Sequence, residues 1–65
     1  MTQIVQIHKC RYEAFTFHNN LIVHRTGKTT GGKYLTGDSA KTWTDAIKTA
    51  IDNSEADALC RAILA

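Results

Sequence analysis

The segment AFTFHNNLIVHR, residues 14–25, contains the clearest structural signal in the chain. Two runs of aromatic and β-branched residues flank the pair Asn19-Asn20, and runs of this kind are typical of β-strands. Asparagine tolerates positive φ better than any residue except glycine, so the pair favours a tight turn between antiparallel strands. We therefore expect this segment to form a β-hairpin.

A turn at Asn19-Asn20 sorts the side chains of this hairpin onto two faces of a sheet. In that register Phe17 lies opposite Ile22, and Phe15 lies opposite His24. The first face carries Phe15, Phe17, Ile22 and His24, and the second carries Thr16, His18, Leu21 and Val23. Since so short a chain can hardly leave two phenylalanines out of its core, we expect the aromatic face to be the buried one.

Further strands are expected on both sides of the hairpin. Residues 2–9 are rich in isoleucine and valine, a composition that predicts a first strand. Residues 33–36 are long enough for a short strand, and residues 37–39, Gly-Asp-Ser, are predicted to form a turn. The sheet is expected to contain about three strands.

Helices are predicted in the second half of the chain. Thr42 and Asp45 have the spacing of a helix-capping box, and apolar residues recur at helical spacing from Trp43 to Ile51. Residues 54–57 repeat the capping spacing, which predicts a break and then a short second helix. The predicted fold class is α+β: a small antiparallel sheet packed on a C-terminal amphipathic helix plus a short terminal helix (β-β-β-α-α).

Length and composition limit what the chain can be. With 65 residues, 43% of them hydrophobic and 22% charged, it is expected to form a single small domain over residues 1–65. A core of this size contributes only about 3–5 kcal/mol, so small chains are often stabilised by disulfides, metals or partners. The first residues contain no basic region followed by a long apolar run, which favours a cytoplasmic protein with Cys10 and Cys60 as reduced thiols. We expect no membrane span, because no apolar run approaches about 20 residues.

The motifs that would indicate catalysis or metal binding are incomplete. Gly27-Lys28-Thr29 matches the end of a phosphate-binding P-loop, but Ile22 occupies the position of the upstream glycine, and no helix is predicted directly after the motif. The histidines and cysteines lack the Cys-x-x-Cys or His-x-x-x-His spacing of zinc sites. Nothing in the sequence pairs a cysteine with a histidine as an activated nucleophile. We expect no catalytic residues, no metal ligands and no cofactor.

Positive charge is concentrated in the first half of the chain. Residues 1–34 carry five lysines and arginines against one glutamate, whereas residues 35–65 carry three against five carboxylates. The basic half also contains four of the five aromatic residues of the chain. This combination suits contact with an acidic protein surface or a nucleic-acid backbone. The predicted binding residues are Lys9, Arg11, Arg25, Lys28, Lys33 and Tyr34.

Two resemblances indicate what such a binding protein does. Residues 35–39 and 42–47, a Gly-Asp-Ser turn followed by an acidic-Ala helical start, resemble the strand-to-helix junction of HicB-type antitoxins with three residues inserted. In format, a short chain with a charged face and no enzyme motif, the protein resembles the small accessory proteins of phages and prophages, including anti-CRISPR proteins.

The phage resemblance implies a stoichiometric inhibitor or regulator that acts in counter-defence. Such a protein would occupy a surface of a host protein or protein-RNA complex through its basic sheet and loop side. The alternatives are a nucleic-acid-binding module that uses the same residues, and a HicB-like antitoxin. The antitoxin alternative implies a homodimer formed through an exposed strand edge, whereas the others are compatible with a monomer.

Overall fold

Four strands precede two helices in the computed structural model, which describes residues 3–28, 30–52 and 54–65. The strands are β1 (Val5–Lys9), β2 (Tyr12–Phe17), β3 (Asn20–Arg25) and β4 (Lys33–Leu35), and the helices are α1 (Gly37–Asp52) and α2 (Ala56–Leu64). Each strand pairs antiparallel with the next, in the order β1-β2-β3-β4. The predicted α+β class is confirmed, and the sheet has a fourth strand because the segments on both sides of the hairpin pair with it. Thr2, the first residue of the predicted first strand, lies outside the described residues.

The turn of the β2–β3 hairpin lies one residue earlier than predicted. His18 and Asn19 occupy it with φ angles of 53° and 64°, the left-handed values that a tight hairpin turn needs. Asn20 belongs to β3, where its side-chain amide donates to the Tyr34 hydroxyl at 2.7 Å. The shift moves the cross-strand partners by two positions, an even number, so the predicted aromatic set still shares one face.

The core lies on the opposite face of the sheet from the one predicted. Both helices pack against the face of Ala14, Leu21 and Val23, and these three side chains are fully buried. Phe15 and Phe17 lie on the other face and outside the core, so the predicted burial of the aromatic face is wrong. Small side chains on the sheet and on the helices let the two layers approach closely. The buried helix residues are Ala40, Ile47 and Ala50 in α1 and Ala56, Cys60 and Ile63 in α2.

Helix α1 begins at Gly37, earlier than the capping pattern predicted. The predicted turn at residues 37–39 is the first turn of this helix, and Thr42 lies inside it, so the predicted cap is wrong. Asp38 in that first turn interacts favourably with the positive end of the helix dipole, which explains how a turn-like sequence can begin a helix. Ile51, placed on the predicted apolar stripe, is 42% exposed near the end of the helix.

A residue in the left-handed conformation closes α1 and directs the chain into α2. Ser54 has a φ of 58°, and its N–H donates to the Ile51 carbonyl at 3.2 Å. The Glu55 N–H donates to the Ala50 carbonyl at 2.9 Å, which completes the hydrogen-bond pattern of a Schellman motif. The predicted second helix is confirmed, but Glu55 precedes it instead of Ser54 and makes no side-chain capping hydrogen bond. Asn53, within the predicted break, lies outside the described residues.

The glycine-rich segment between β3 and β4 contains a close approach of two backbones. A Cβ on Gly32 would lie 2.7 Å from the Val23 carbonyl oxygen and 3.0 Å from the His24 Cβ. The absence of a side chain at Gly32 therefore lets the chain run against β3 just before β4 begins. Thr29, the last residue of the P-loop-like Gly-Lys-Thr, lies outside the described residues, and the chain continues into β4 where a P-loop would continue into a helix.

Candidate functional site

One face of the sheet is exposed because both helices pack on the other, and we call it the uncovered face. Its residues alternate along β2 and β3 and continue on β4, so cross-strand pairing sets them side by side. Tyr34 is 58% exposed, and the remaining members are half-buried. Gln6, Glu13 and Asn20 lie on the same side of the sheet. The name uncovered face is kept for Phe15, Phe17, Ile22, His24 and Tyr34.

The aromatic rings of the uncovered face are held by their neighbours. The ring centroids of Phe15 and His24 lie 5.7 Å apart, with an angle of 32° between the ring planes. An edge-on contact with a centroid distance of 4.5 Å joins Phe17 to His18 in the hairpin turn. The hydrogen bond at 2.7 Å to the Tyr34 hydroxyl restrains the third ring. A partner would therefore meet a preorganised aromatic surface.

The charges beside the uncovered face are balanced. Lys9 and Glu13 are cross-strand partners on β1 and β2, so one cation and one carboxylate share this end of the sheet. Glu13 also accepts a hydrogen bond from the Gly27 N–H at 3.1 Å, which ties the loop after β3 to the sheet. The margin of the aromatic surface thus carries one positive and one negative side chain.

Three of the five predicted cations lie at the same end of the sheet but on its other side, where the sheet meets α2. A hollow of about 850 Å³ opens there between the β1–β2 turn, the loop after β3 and α2. A second hollow of about 450 Å³ shares Tyr12, Arg25, Lys28 and Arg61 with it and extends it along the loop. We call the two hollows together the basic cleft. Its cations are Arg11, Arg25, Lys28 and Arg61.

Hydrogen bonds hold the loops of the basic cleft together. The Thr26 N–H donates to the Arg11 carbonyl at 3.2 Å, and the Thr26 hydroxyl donates to the Cys10 carbonyl at 2.6 Å. The Lys28 N–H donates to the Arg25 carbonyl at 3.0 Å and closes a turn after β3. These contacts join the β1–β2 turn to the start of the β3–β4 loop. They bring cations that are far apart in the sequence into one cleft.

The carboxylate that lines the basic cleft is already engaged. Asp57 Oδ1 lies 2.8 Å from Nε2 of His8, a residue that follows a β-bulge in β1. The hydrogen bond from His8 lowers the pKa of Asp57, against the raising effect of burial. Within the described parts of the chain no salt bridge joins an acidic side chain to the cleft's arginines or lysine, and Asp57 is the one acidic side chain among its lining residues. The cleft is therefore electropositive.

The six predicted binding residues do not form one surface. Half of them line the basic cleft: Arg11, Arg25 and Lys28. Tyr34 belongs to the uncovered face, and Lys9 lies at its margin opposite a carboxylate. Lys33 begins β4 at the exposed edge of the sheet, apart from both groups. Grouping the cations by their position in the sequence therefore merged two separate surfaces.

Arg61 is the one cation of the cleft that was not predicted from the sequence. It lies in α2, in the half of the chain with net negative charge, and reaches the cleft because α2 packs on β2 and β3. A local signal for it exists, because Arg61 is the one cation of α2 and directly follows the buried Cys60. Arg61 borders the buried side of α2, formed by Ala56, Cys60 and Ile63, and so lies where this helix meets the sheet.

Nucleophilic and metal-binding groups are sparse in the part of the chain that the structure describes. No set of three or more His, Cys, Asp or Glu side chains there is arranged to hold a metal ion. Burial raises the pKa of Cys60 to about 11, which makes its thiol a poor nucleophile. Cys10 is exposed, and both thiols are free. Neither α1 nor α2 is long and apolar enough to cross a bilayer.

No family model, no curated protein and no solved structure matches this chain. The resemblances to HicB-type antitoxins and to phage accessory proteins therefore stay predictions. Residues 35–47, which carry the first of them, run from the end of β4 into α1.

Proposed function

We propose that the protein is a non-catalytic inhibitor or regulator of the phage type that docks on a host protein or ribonucleoprotein through its uncovered face. The observation that supports this proposal is an aromatic sheet surface that α1 and α2 leave exposed. A chain this short gains stability from every large apolar side chain that it buries. Aromatic side chains placed outside the core therefore point to a role in binding.

The composition of the uncovered face suits a protein partner. Phenylalanine and tyrosine are enriched in the centres of protein interfaces, and charged residues are depleted there. Phe15, Phe17 and Ile22 are apolar, while Lys9 and Glu13 lie at the margin, where interfaces are polar. Buried aromatic anchors contribute most of the binding free energy in such interfaces. Because the rings are already held, little conformational entropy is lost on docking.

The basic cleft has a separate part in this docking. Its cations lie at one end of the molecule, next to the loop after β3. Unneutralised surface charge of one sign raises the association rate with an acidic partner more than it raises affinity. We expect it to orient the approach to a negatively charged host surface.

Two variants test the docking proposal. Affinity purification of the tagged chain from host lysate identifies the partner, and calorimetry with the purified partner then measures affinity. We expect Phe15→Ala and Tyr34→Ala each to weaken binding by about tenfold or more. The matched control is Ile51→Ala, which removes an apolar side chain that is 42% exposed on α1. Unchanged affinity in Phe15→Ala, or an equal loss in the control, would contradict the proposal.

A nucleic-acid-binding module is the second candidate, and one observation favours it. The aromatic rings of the uncovered face lie on a four-stranded sheet with helices behind it. Single-strand-binding domains stack bases on aromatic residues of such sheets. If this candidate is correct, Phe15→Ala and Tyr34→Ala weaken the binding of an oligonucleotide. If the docking proposal is correct, they weaken only the binding of the protein partner.

The HicB-like alternative makes a different prediction about assembly. Val5, in the edge strand β1, and Ile4, directly before it, are 52% and 61% exposed. An antitoxin of that type would pair two copies through an exposed strand edge. Light scattering of the purified chain distinguishes the homodimer that this alternative requires from a monomer.

A further inference from the structure

The basic cleft carries an excess of positive charge, and orienting a partner toward the uncovered face would not require these cations to line a concave site. Four cationic side chains line it against one acidic side chain, Asp57, so the side chains of the cleft carry a net charge of +3. Like charges gathered on one small surface repel one another. The arrangement therefore lowers the stability of the free protein, and an anion bound in the cleft would offset that cost.

We propose that the basic cleft binds the sugar-phosphate backbone of a single-stranded nucleic acid, with Arg11, Arg25, Lys28 and Arg61 contacting its phosphates. The cleft and the uncovered face share no residue. This proposal is therefore independent of docking through the uncovered face, and either can fail alone.

The cation types in the cleft suit phosphate. Arg11, Arg25 and Arg61 carry planar guanidinium groups, which bind two phosphate oxygens at once and remain charged at every accessible pH. Lys28 adds a compact charge on the loop after β3. Thr30 lines the smaller hollow, where its hydroxyl is a further donor for phosphate oxygens.

The shape of the cleft favours a strand over a single phosphate. The larger hollow of about 850 Å³ continues into the smaller one of about 450 Å³ through the residues that they share. Tyr12 and Leu64 line this extension and offer apolar contact to sugars or bases. The single-strand grooves of OB-fold domains accommodate about 4–16 nucleotides, which sets the range of oligonucleotide lengths to test here.

A single strand also fits the cleft better than a duplex does. Proteins read duplex DNA by inserting a helix or a strand pair into a groove. Here the cations line a concavity between loops and α2, and a flexible strand can bend to follow such a surface more easily than a duplex can.

Fluorescence anisotropy with a labelled oligothymidylate of about 12 nucleotides tests the proposal on the full chain. We expect saturable binding with an apparent dissociation constant that increases with salt. Each phosphate contact on a single strand contributes about −0.7 to the slope of log K against log salt concentration. Four contacts therefore predict a slope of about −3.

A matched pair of double variants locates the site. Lys28→Ala with Arg61→Ala removes two cleft cations, and we expect about tenfold weaker binding and a slope reduced by about 1.4. Lys41→Ala with Lys48→Ala removes two exposed cations of α1 that line a different hollow, near the β2–β3 turn. The control has the same net charge as the cleft variant, and we expect its affinity to stay within about twofold of the wild type. Thermal unfolding checks that both variants remain folded.

Three results would overturn the proposal. The first is the absence of oligonucleotide binding at low salt by the folded wild type. The second is an equal loss of affinity in the two double variants, which would show that only net charge matters. The third is a polyglutamate peptide of similar length that binds the cleft as tightly as the oligonucleotide does, which would identify the cleft as a site for acidic protein segments.

Discussion

On the covered face of the β2–β3 hairpin, Ala14, Leu21 and Val23 are fully buried against the helices, whereas Phe15 and Phe17 on the uncovered face lie outside the core. The face with the larger aromatic side chains is therefore the one that the helices leave exposed. Both helices bury alanines at their contact, and such helices pack closely on a sheet face with small or aliphatic side chains. Hydrophobicity identifies the candidates for burial, but the shape of the packing partner decides which of them are buried.

The largest expected effect comes from the covered face. Leu21→Ala removes a fully buried side chain, and we expect it to lower the free energy of unfolding by about 3 kcal/mol through lost apolar contact and the cavity left behind. Phe15→Ala, on the uncovered face, should lower it by only about 1 kcal/mol, because it loses mainly cross-strand contacts. Urea unfolding followed by circular dichroism measures both. A cost for Phe15→Ala as large as that for Leu21→Ala would mean that the aromatic face is the core.

The two faces also show how far the sequence predicts the fold. The alternation of Phe15 and Phe17 with their neighbours correctly grouped the side chains, because the period of a strand is two residues whatever packs on it. It could not show which group the helices cover. The turn was misplaced because Asn19 and Asn20 both tolerate a positive φ and form the more typical turn pair, whereas the turn consists of Asn19 and His18, a residue type that also adopts positive φ.

The candidate site was predictable only in part for a related reason. Of the five cations that composition indicated as binding residues, the structure places three in the basic cleft, namely Arg11, Arg25 and Lys28. Arg61 was not predicted, because it reaches the other cleft cations only through the packing of α2 on the sheet. The distribution of charge along the sequence does not indicate such a contact. The start of α1 was also predicted too late in the sequence, because Gly37 and Asp38 are as typical of a turn as of a helix start.

A hydrogen bond between His8 in β1 and Asp57 in α2 joins α2 to the covered face of the sheet. The hydrogen bond from His8 lowers the pKa of Asp57, so this carboxyl stabilises the fold fully above its unfolded pKa of about 3.9. The contribution is lost as the pH falls through the lower pKa of the folded state. We expect stability to drop in this acidic range and Asp57→Asn to show a smaller drop. Urea unfolding at pH 5 and below pH 4 tests this expectation, and identical pH profiles for the two proteins would contradict it.

The smallest expected effect on stability comes from the connection between α1 and α2. Ser54 holds a left-handed φ of 58°, a conformation that glycine adopts without strain. We expect Ser54→Gly to raise the free energy of unfolding by about 0.5 kcal/mol, the gain being limited by the greater freedom of glycine in the unfolded chain. Thermal unfolding detects this as a higher midpoint, with Ser39→Gly in the first turn of α1 as a control that should lower it. A lower midpoint for Ser54→Gly would mean that the α1–α2 connection has a different geometry.

Hydroxyl-radical footprinting read by mass spectrometry compares the two faces most directly. In the free protein we expect rapid oxidation of Tyr34, slower but measurable oxidation of the half-buried Phe15 and Phe17, and strong protection of Leu21 and Ile47, which are fully buried. Addition of the docking partner should then protect the uncovered face and leave Ile51 on α1 reactive. If Phe15 and Phe17 are protected in the free protein as strongly as Leu21, or stay reactive when the partner is bound, the uncovered face is not the docking surface.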